Sequence, residues 1–186
     1  MSVIGVISDT HIPDRARRLH QAVIPLFQKA QVEAVLHAGD VSSPTVLEQL
    51  GRFSPVYAVR GNRDWVLLRR LPAALSLRFE GVNIALAHGH GRWWNYVQDR
   101  LYYMRHGFHL DRFQTRLLKA FPEARVIVFG HTHRALNVVV GNQLVFNPGS
   151  PHFPEEKDCA PSVGLLHIAA GGEVKGEIIY LPASKT

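Results

Sequence analysis

The 186-residue chain has one cysteine, Cys159. No disulfide can form within it, which excludes the cross-linked framework of a small secreted domain and fits a reducing cytoplasm. Its setting, Glu155-Glu156-Lys157-Asp158-Cys159-Ala160-Pro161, reads as a loop thiol rather than a nucleophile. No apolar run approaches the ~20 residues that span a bilayer, so no membrane association is expected. The N-terminus has no basic stretch before its first apolar run and reads as a strand, not a signal peptide. Repeats, low-complexity tracts and linkers long enough to divide the chain are also lacking, so one domain over 1–186 is expected. Acidic residues are the scarcer charge, Asp+Glu 15 against Lys+Arg 21, with a pI near 9.8. That balance favours anionic partners without choosing among them.

What the chain does have is a pattern repeated five times. Val3-Ile4-Gly5-Val6-Ile7 runs into Asp9-Thr10-His11, and Val35-Leu36 into Gly39-Asp40. Val56-Tyr57-Ala58-Val59 runs into Gly61-Asn62-Arg63-Asp64. Ile84-Ala85-Leu86-Ala87 runs into His88-Gly89-His90, and Val126-Ile127-Val128-Phe129 into Gly130-His131-Thr132-His133. Short apolar runs bounded by turn residues read as buried strands. Ligands of open α/β sheets bind beyond the carboxyl ends of strands, so five strand ends bring Asp, Asn or His to one edge. Five of the eleven histidines fall in these clusters.

The first third alternates strand and helix: strand 3–7, a helix over about 15–30, strand 33–37, a helix over 44–50 and strand 56–60. Ser42 or Ser43 before Pro44 predicts an N-cap with proline at the first helical position. This order implies parallel strands joined by right-handed crossovers. Further on, Glu80-Gly81, Gly141-Asn142 and Gly171-Gly172 separate β-rich runs, as in antiparallel hairpins. Two packed mixed sheets covered by helices on both faces are expected. Between His90 and the strand at 126 lies a helical insertion over about 92–121. Trp94, Val97, Leu101, Met104 and Phe108 share one helix face, and Leu110, Phe113, Leu117 and Phe121 another. This segment is basic and aromatic, which suits a lid or a contact between copies of the chain. A nucleic-acid platform would need an open basic groove and is the less favoured reading.

Residues i and i+2 of an extended segment point the same way. Asp9 with His11, and His131 with His133, can therefore each reach one ion. With Asp40, Asn62 and His88 they make seven candidate ligands of mixed N and O type. That exceeds one tetrahedral zinc site and suits two ions, with the two oxygens of Asp40 shared between them. Each cluster alone has a plain structural reading as a turn, a helix cap or a satisfied polar residue. The five in order do not.

These motifs, Asp9-Thr10-His11, Gly39-Asp40, Gly61-Asn62-x-Asp64, His88-Gly89-His90 and Gly130-His131-Thr132-His133, resemble the ordered set of the calcineurin-like metallophosphoesterases. The short length and Asn147-Pro148-Gly149-Ser150 resemble its compact prokaryotic phosphodiesterase branch. The resemblance implies an α/β four-layer α/β/β/α sandwich of two mixed sheets. It implies one ion held by Asp9, His11, Asp40 and His133, and another by Asp40, Asn62, His88 and His131. Mn, Fe, Zn, Ni or Co would suit such ligands. It further implies a phosphoesterase, most simply a phosphodiesterase, in which a hydroxide bridging the ions attacks the phosphorus of an anionic phosphate ester. Many members carry His where this chain has Arg63. A guanidinium is a poor general acid but can clamp a phosphate oxygen. Asp40, Asn62, Arg63 and His90 are thus the catalytic candidates, His90 as a proton donor, and His37 is read as a structural strand residue. Two other classes remain: a scaffold of this fold without catalysis, like the retromer subunit that resembles it, and a nuclease using the same dinuclear site.

Overall fold

Two five-stranded sheets lie face to face in the computed structural model, which describes residues 1–64, 68–89, 110–152 and 160–182. In chain order the elements are β1 (Ser2–Ile7), α1 (Val23–Lys29), β2 (Ala34–His37), α2 (Pro44–Gly51), β3 (Val56–Ala58), β4 (Ala74–Phe79) and β5 (Val82–Ala87). They continue with α3 (Leu110–Ala120), β6 (Val126–Val128), β7 (Ala135–Val140), β8 (Gln143–Pro148), β9 (Ser162–Ile168) and β10 (Val174–Tyr180). One sheet has the order β10-β9-β1-β2-β3, the other β4-β5-β6-β8-β7. Each has three parallel strands, β1-β2-β3 and β5-β6-β8, flanked by antiparallel ones, so both sheets are mixed as expected.

Strand alternation separates the core into layers. Ile4, Val6 and Leu36 meet Ile84, Leu86, Val128 and Phe146 between the sheets. Ile7 and Val35 face outward and pack with Val23 and Phe27 of α1 and Val46 and Leu50 of α2. On the opposite outer face Ile127 and Val145 pack with Leu117 of α3. Helix, sheet, sheet and helix therefore stack in the four expected layers. Among the described residues no helix is long and apolar enough to cross a membrane.

Two expectations shift in detail and a third is narrowed. The helix expected over 15–30 begins only at Val23. A start near 15 would place Pro25 in the helix interior, without an N–H and against a carbonyl of the preceding turn; the observed start keeps it in the first turn. The residues before it form turns anchored on His11, whose carbonyl accepts from Arg15 N (2.8 Å) and Ala16 N (3.3 Å). Strand β3 ends at Ala58 because Arg60 N turns away to Pro72 O at 2.8 Å. Of the two serines before α2, Ser43 is the cap, its hydroxyl accepting from Thr45 N. The hairpins at Gly81, Gly141 and Gly171-Gly172 form as read. The expectations for His90, for the first half of the 92–121 insertion and for Cys159 lie outside the described residues.

Candidate metal centre

The parallel strands of both sheets end on one side of the sandwich. There the turns after β1, β2 and β3 meet those after β5 and β6. Five of the seven candidate ligands have left-handed backbones: Asp9 (φ 53°), His11 (φ 50°), Asp40 (φ 52°), His131 (φ 70°) and His133 (φ 55°). Non-glycine residues rarely adopt this conformation, and they do so where the surroundings over-determine it. Backbone bonds hold the turns: Asp9 N donates to Gly39 O (3.0 Å), His11 N to Asp40 O (3.1 Å) and, next to His131, Gly130 N to His88 O (3.2 Å).

All seven side chains converge, in two groups. In the first, His11 Nε2 lies 3.1 Å from His133 Nε2, and Asp9 Oδ1 lies 3.4 Å from His133 Nε2 and 3.9 Å from His11 Nε2. In the second, Asn62 Oδ1 lies 3.1 Å from His88 Nε2 and 3.0 Å from His131 Nδ1. Asp40 stands between them. Its Oδ2 is 3.7 Å from His11 Nε2, and its Oδ1 is 3.5 Å from His88 Nε2. Asp9, Asp40 and His88 also approach closely enough to share an ion.

The donor set fits divalent cations. Asp9 Oδ1 is buried and makes no hydrogen bond of good geometry, a costly condition for a carboxylate unless a cation lies beside it. Two imidazole nitrogens facing each other at 3.1 Å likewise suit a shared positive ion. His88 Nδ1–H donates to Ala38 O at 2.7 Å. That bond fixes its tautomer and aims the Nε2 lone pair into the site. Burial would raise the Asp9 carboxyl, but the imidazoles, His133 foremost, hold it well below the usual carboxylate range. Burial pushes the Asp40 carboxyl up, and the neighbouring Asp9 and Asp64 push the same way. His11 is pulled down to about 4, chiefly by burial, with His133, Arg15 and Arg63 adding to it against Asp9. It is therefore neutral at neutral pH, the form in which an imidazole can bind a cation.

Two glycines are dictated by close approach. A Cβ on Gly61 would collide with the side chain and backbone nitrogen of Asp40. One on Gly130 would collide with Ser8 Oγ and lie 2.8 Å from Asp9 Oδ2. The ligands occupy the space a side chain would need.

A second set of residues braces the first, and most of it was not assigned from sequence. Asp64 is 1% exposed and accepts from Ser42 N (2.8 Å), Gly61 N (2.8 Å) and Val41 N (3.3 Å). It ties the turn carrying Asp40 to the turn carrying Asn62. Ser8 Oγ donates to Asp9 Oδ2, which also accepts from His131 N at 3.0 Å. Asn147 Nδ2 donates to Gly130 O (2.9 Å) and Thr132 Oγ1 (3.1 Å), and Ser150 Oγ donates to Asp9 O at 2.9 Å. Asn147-Pro148-Gly149-Ser150 thereby pins the last cluster to the first. The sequence signal was Asp64 and the Asn-Pro-Gly-Ser turn sitting beside ligands with no ligand role. His37 stands in β2 with Nε2 3.2 Å from Thr10 Oγ1, a structural position as read.

Arg63 donates its backbone N–H to Asp40 Oδ1 at 2.8 Å. Its guanidinium sits at the surface, with Nη1 4.0 Å from Asp14 Oδ2, and Asp14 in turn accepts from Ser42 Oγ at 2.9 Å. From the helix that covers the other sheet, Phe113 of α3 places its ring 5.8 Å from that of His131, with the Arg116 guanidinium 5.3 Å above Phe113. The second half of the insertion thus lies against the centre.

Comparison with known proteins agrees with this geometry. The chain is 37% identical over 177 residues to a probable metallophosphoesterase of Methanothermobacter thermautotrophicus, covering 95% of this chain and 91% of that one. It is 26% identical over 147 residues to a phosphodiesterase of Methanocaldococcus jannaschii, covering 78% and 82%. Among solved structures, Vps29 of Chaetomium thermophilum superposes with a TM-score of 0.71 at 18% identity, over 97% of this chain and 95% of that one, a likeness of fold. Residues 1–171 match the Calcineurin-like phosphoesterase superfamily domain, and the chain belongs to that family of metal-dependent phosphoesterases.

Proposed function

We propose that this chain is a single-domain phosphodiesterase that holds two divalent ions. One would sit among Asp9, His11, His133 and Asp40, the other among Asn62, His88, His131 and Asp40. The observation that carries the reading is the placement of Asp40, whose two oxygens face different histidine-lined groups, Oδ2 toward His11 at 3.7 Å and Oδ1 toward His88 at 3.5 Å. Bound there, divalent ions supply Lewis-acid activation of water and neutralise charge on a phosphate ester. The protein's own part is preorganisation. Left-handed backbones, Asp64 and Asn147 fix the ligands before substrate arrives, so little reorganisation is needed at the moment of reaction. A guanidinium is a poor general acid, which suits Arg63 to clamp a phosphate oxygen and not to protonate a leaving group. His90, two residues beyond His88, is the candidate for that proton by sequence. The insertion at about 92–121 would set substrate choice or self-association, and the reducing cytoplasm is the compartment its single thiol suits.

A scaffold role has one observation in its favour, the likeness of fold to Vps29. The convergence of all seven candidate ligands supports catalysis over it, because a scaffold has no need of them. A nuclease would use the same centre and differ in what the surface binds. The test is hydrolysis of bis(p-nitrophenyl) phosphate with added Mn²⁺. Native protein should turn it over. Asp40→Asn should lose at least about a hundredfold in kcat with an unchanged circular dichroism spectrum. Equal turnover by metal-loaded Asp40→Asn would remove Asp40 from the proposed role.

A further inference from the structure

Seven of the chain's 21 Lys+Arg lie in two loops at the end of the sandwich that carries the centre. Arg15, Arg17 and Arg18 follow β1; Arg60, Arg63, Arg69 and Arg70 follow β3. The same loops hold three acids. Asp9 is buried in the centre, and Asp64 is committed to three backbone N–H groups. Asp14 alone is exposed, and it faces Arg63. The surface these loops present is therefore almost purely cationic.

The two loops are neighbours. Arg63 reaches Asp14 across the gap. Ala16 and Leu19 of one loop and Leu68 and Leu71 of the other enter the same apolar cluster, beside the pairs Arg17-Arg18 and Arg69-Arg70 in sequence. Arg60 Nη1 donates to Arg69 O at 3.0 Å and braces the turn that presents the second pair. Arg17, Arg18, Arg69 and Arg70 are all exposed and make no ion pair with a described residue. Arg63 N donates to Asp40 Oδ1 and Arg15 N to His11 O, both at 2.8 Å, so these two arginines start at the edge of the centre. The arginines thus extend from the edge of the centre outward. All seven are arginine, the side chain whose planar fork matches phosphate oxygens bidentately.

A phosphodiester at the point of cleavage carries one negative charge, which two divalent ions held by Asp9, Asp40 and a hydroxide would balance without a distant cation. Exposed arginines further out have no role toward that group. We infer, on the phosphodiesterase reading above, that this rim binds a phosphate other than the one hydrolysed. The natural substrate then carries two or more phosphates, as a polyphosphate-bearing nucleotide or an oligonucleotide does.

The test measures competition against bis(p-nitrophenyl) phosphate by the full chain, with Mn²⁺ in fixed excess. Orthophosphate, tripolyphosphate and pentathymidylate are the competitors. At least one repeated-phosphate competitor should inhibit about tenfold or more tightly than orthophosphate, with a steeper loss on adding salt. Tripolyphosphate acting alone would indicate a small polyphosphate substrate, and pentathymidylate acting alone a nucleic acid. Charge reversal at Arg17, Arg18, Arg69 and Arg70 to Glu should abolish the preference. Fluorescence anisotropy of labelled pentathymidylate and calorimetry with tripolyphosphate read binding without turnover, and the salt slope of the native chain applies if the variant does not fold. No competitor more than about threefold tighter than orthophosphate, or a preference that survives charge reversal in a folded variant, overturns the inference. Absence of any diester hydrolysis by native protein would instead count against the phosphodiesterase reading, leaving the binding measurements to decide on the rim.

Discussion

Replacing Asp64 by Asn isolates what the bracing residues contribute, because the change keeps shape and removes one oxygen and one charge. The Asp64 carboxylate accepts three backbone N–H groups, Oδ1 from Ser42 and Oδ2 from Val41 and Gly61. An amide can present its oxygen to one side only. Its best orientation keeps Val41 and Gly61 and turns an NH₂ toward the Ser42 N–H. One buried donor is then unsatisfied, at about 1–3 kcal/mol, and two charge-assisted bonds become neutral ones at roughly 1 kcal/mol each. The expected loss is about 3–5 kcal/mol. For a chain of 20.8 kDa each kcal/mol moves the thermal midpoint by roughly 2–4 °C, so a fall of roughly 6–20 °C is expected. Urea unfolding of the metal-free protein measures the stability, and manganese titration measures the site. Both should weaken, since the one bond lost and the two weakened align the turns of Asp40 and Asn62. A variant within about 1 kcal/mol of native, with unchanged manganese affinity, would refute the argument that Asp64 sets the distance between those turns.

Arg63→Ala should lower kcat/KM by similar factors for diesters with good and with poor leaving groups, read from a series of substituted aryl esters. A loss concentrated in the poor leaving groups would make Arg63 a participant in protonation. Stability should also fall with acid. Burial holds His37 down at about 4, against the opposing pull of Asp64 and Asp9, and burial does the same to His152 with help from His20. Both are neutral when folded and protonate on unfolding between about 4 and 6.5, so the unfolded chain binds more protons there. Their contribution is whole above pH 6.5 and is lost as pH drops toward 4. Thermal midpoints from pH 7.5 to 4.5 should show that decline, with a shallower slope in His37→Gln.

The candidate centre was legible in the sequence because strand geometry is simple. Ligands at i and i+2 after an apolar run must point to one side, and five such runs in an α/β order must end on one edge. The two mixed sheets followed from the glycine turns between β-rich runs. The start of α1 was missed because the apolar spacing of Leu19, Val23, Leu26 and Phe27 fits a helix through all of them; Pro25, which forbids that, carried less weight than the periodicity. The bracing network was not legible for a different reason. Asp64 bonds backbone groups of Val41 and Ser42, more than twenty residues away, and a backbone N–H leaves no mark in a sequence. The left-handed turns at Asp9, His11, Asp40, His131 and His133 are likewise set by contacts between turns far apart in the chain, not by local propensity.

The claim on which the account depends is that two ions bind, with Asp40 between them. Elemental analysis of metal-saturated protein, together with anomalous scattering from its crystals, measures this directly. The account predicts two ions per chain, one beside Asp9, His11 and His133 and one beside Asn62, His88 and His131, with density from both reaching Asp40. Saturation at one ion, or a second ion remote from Asp40, would contradict it.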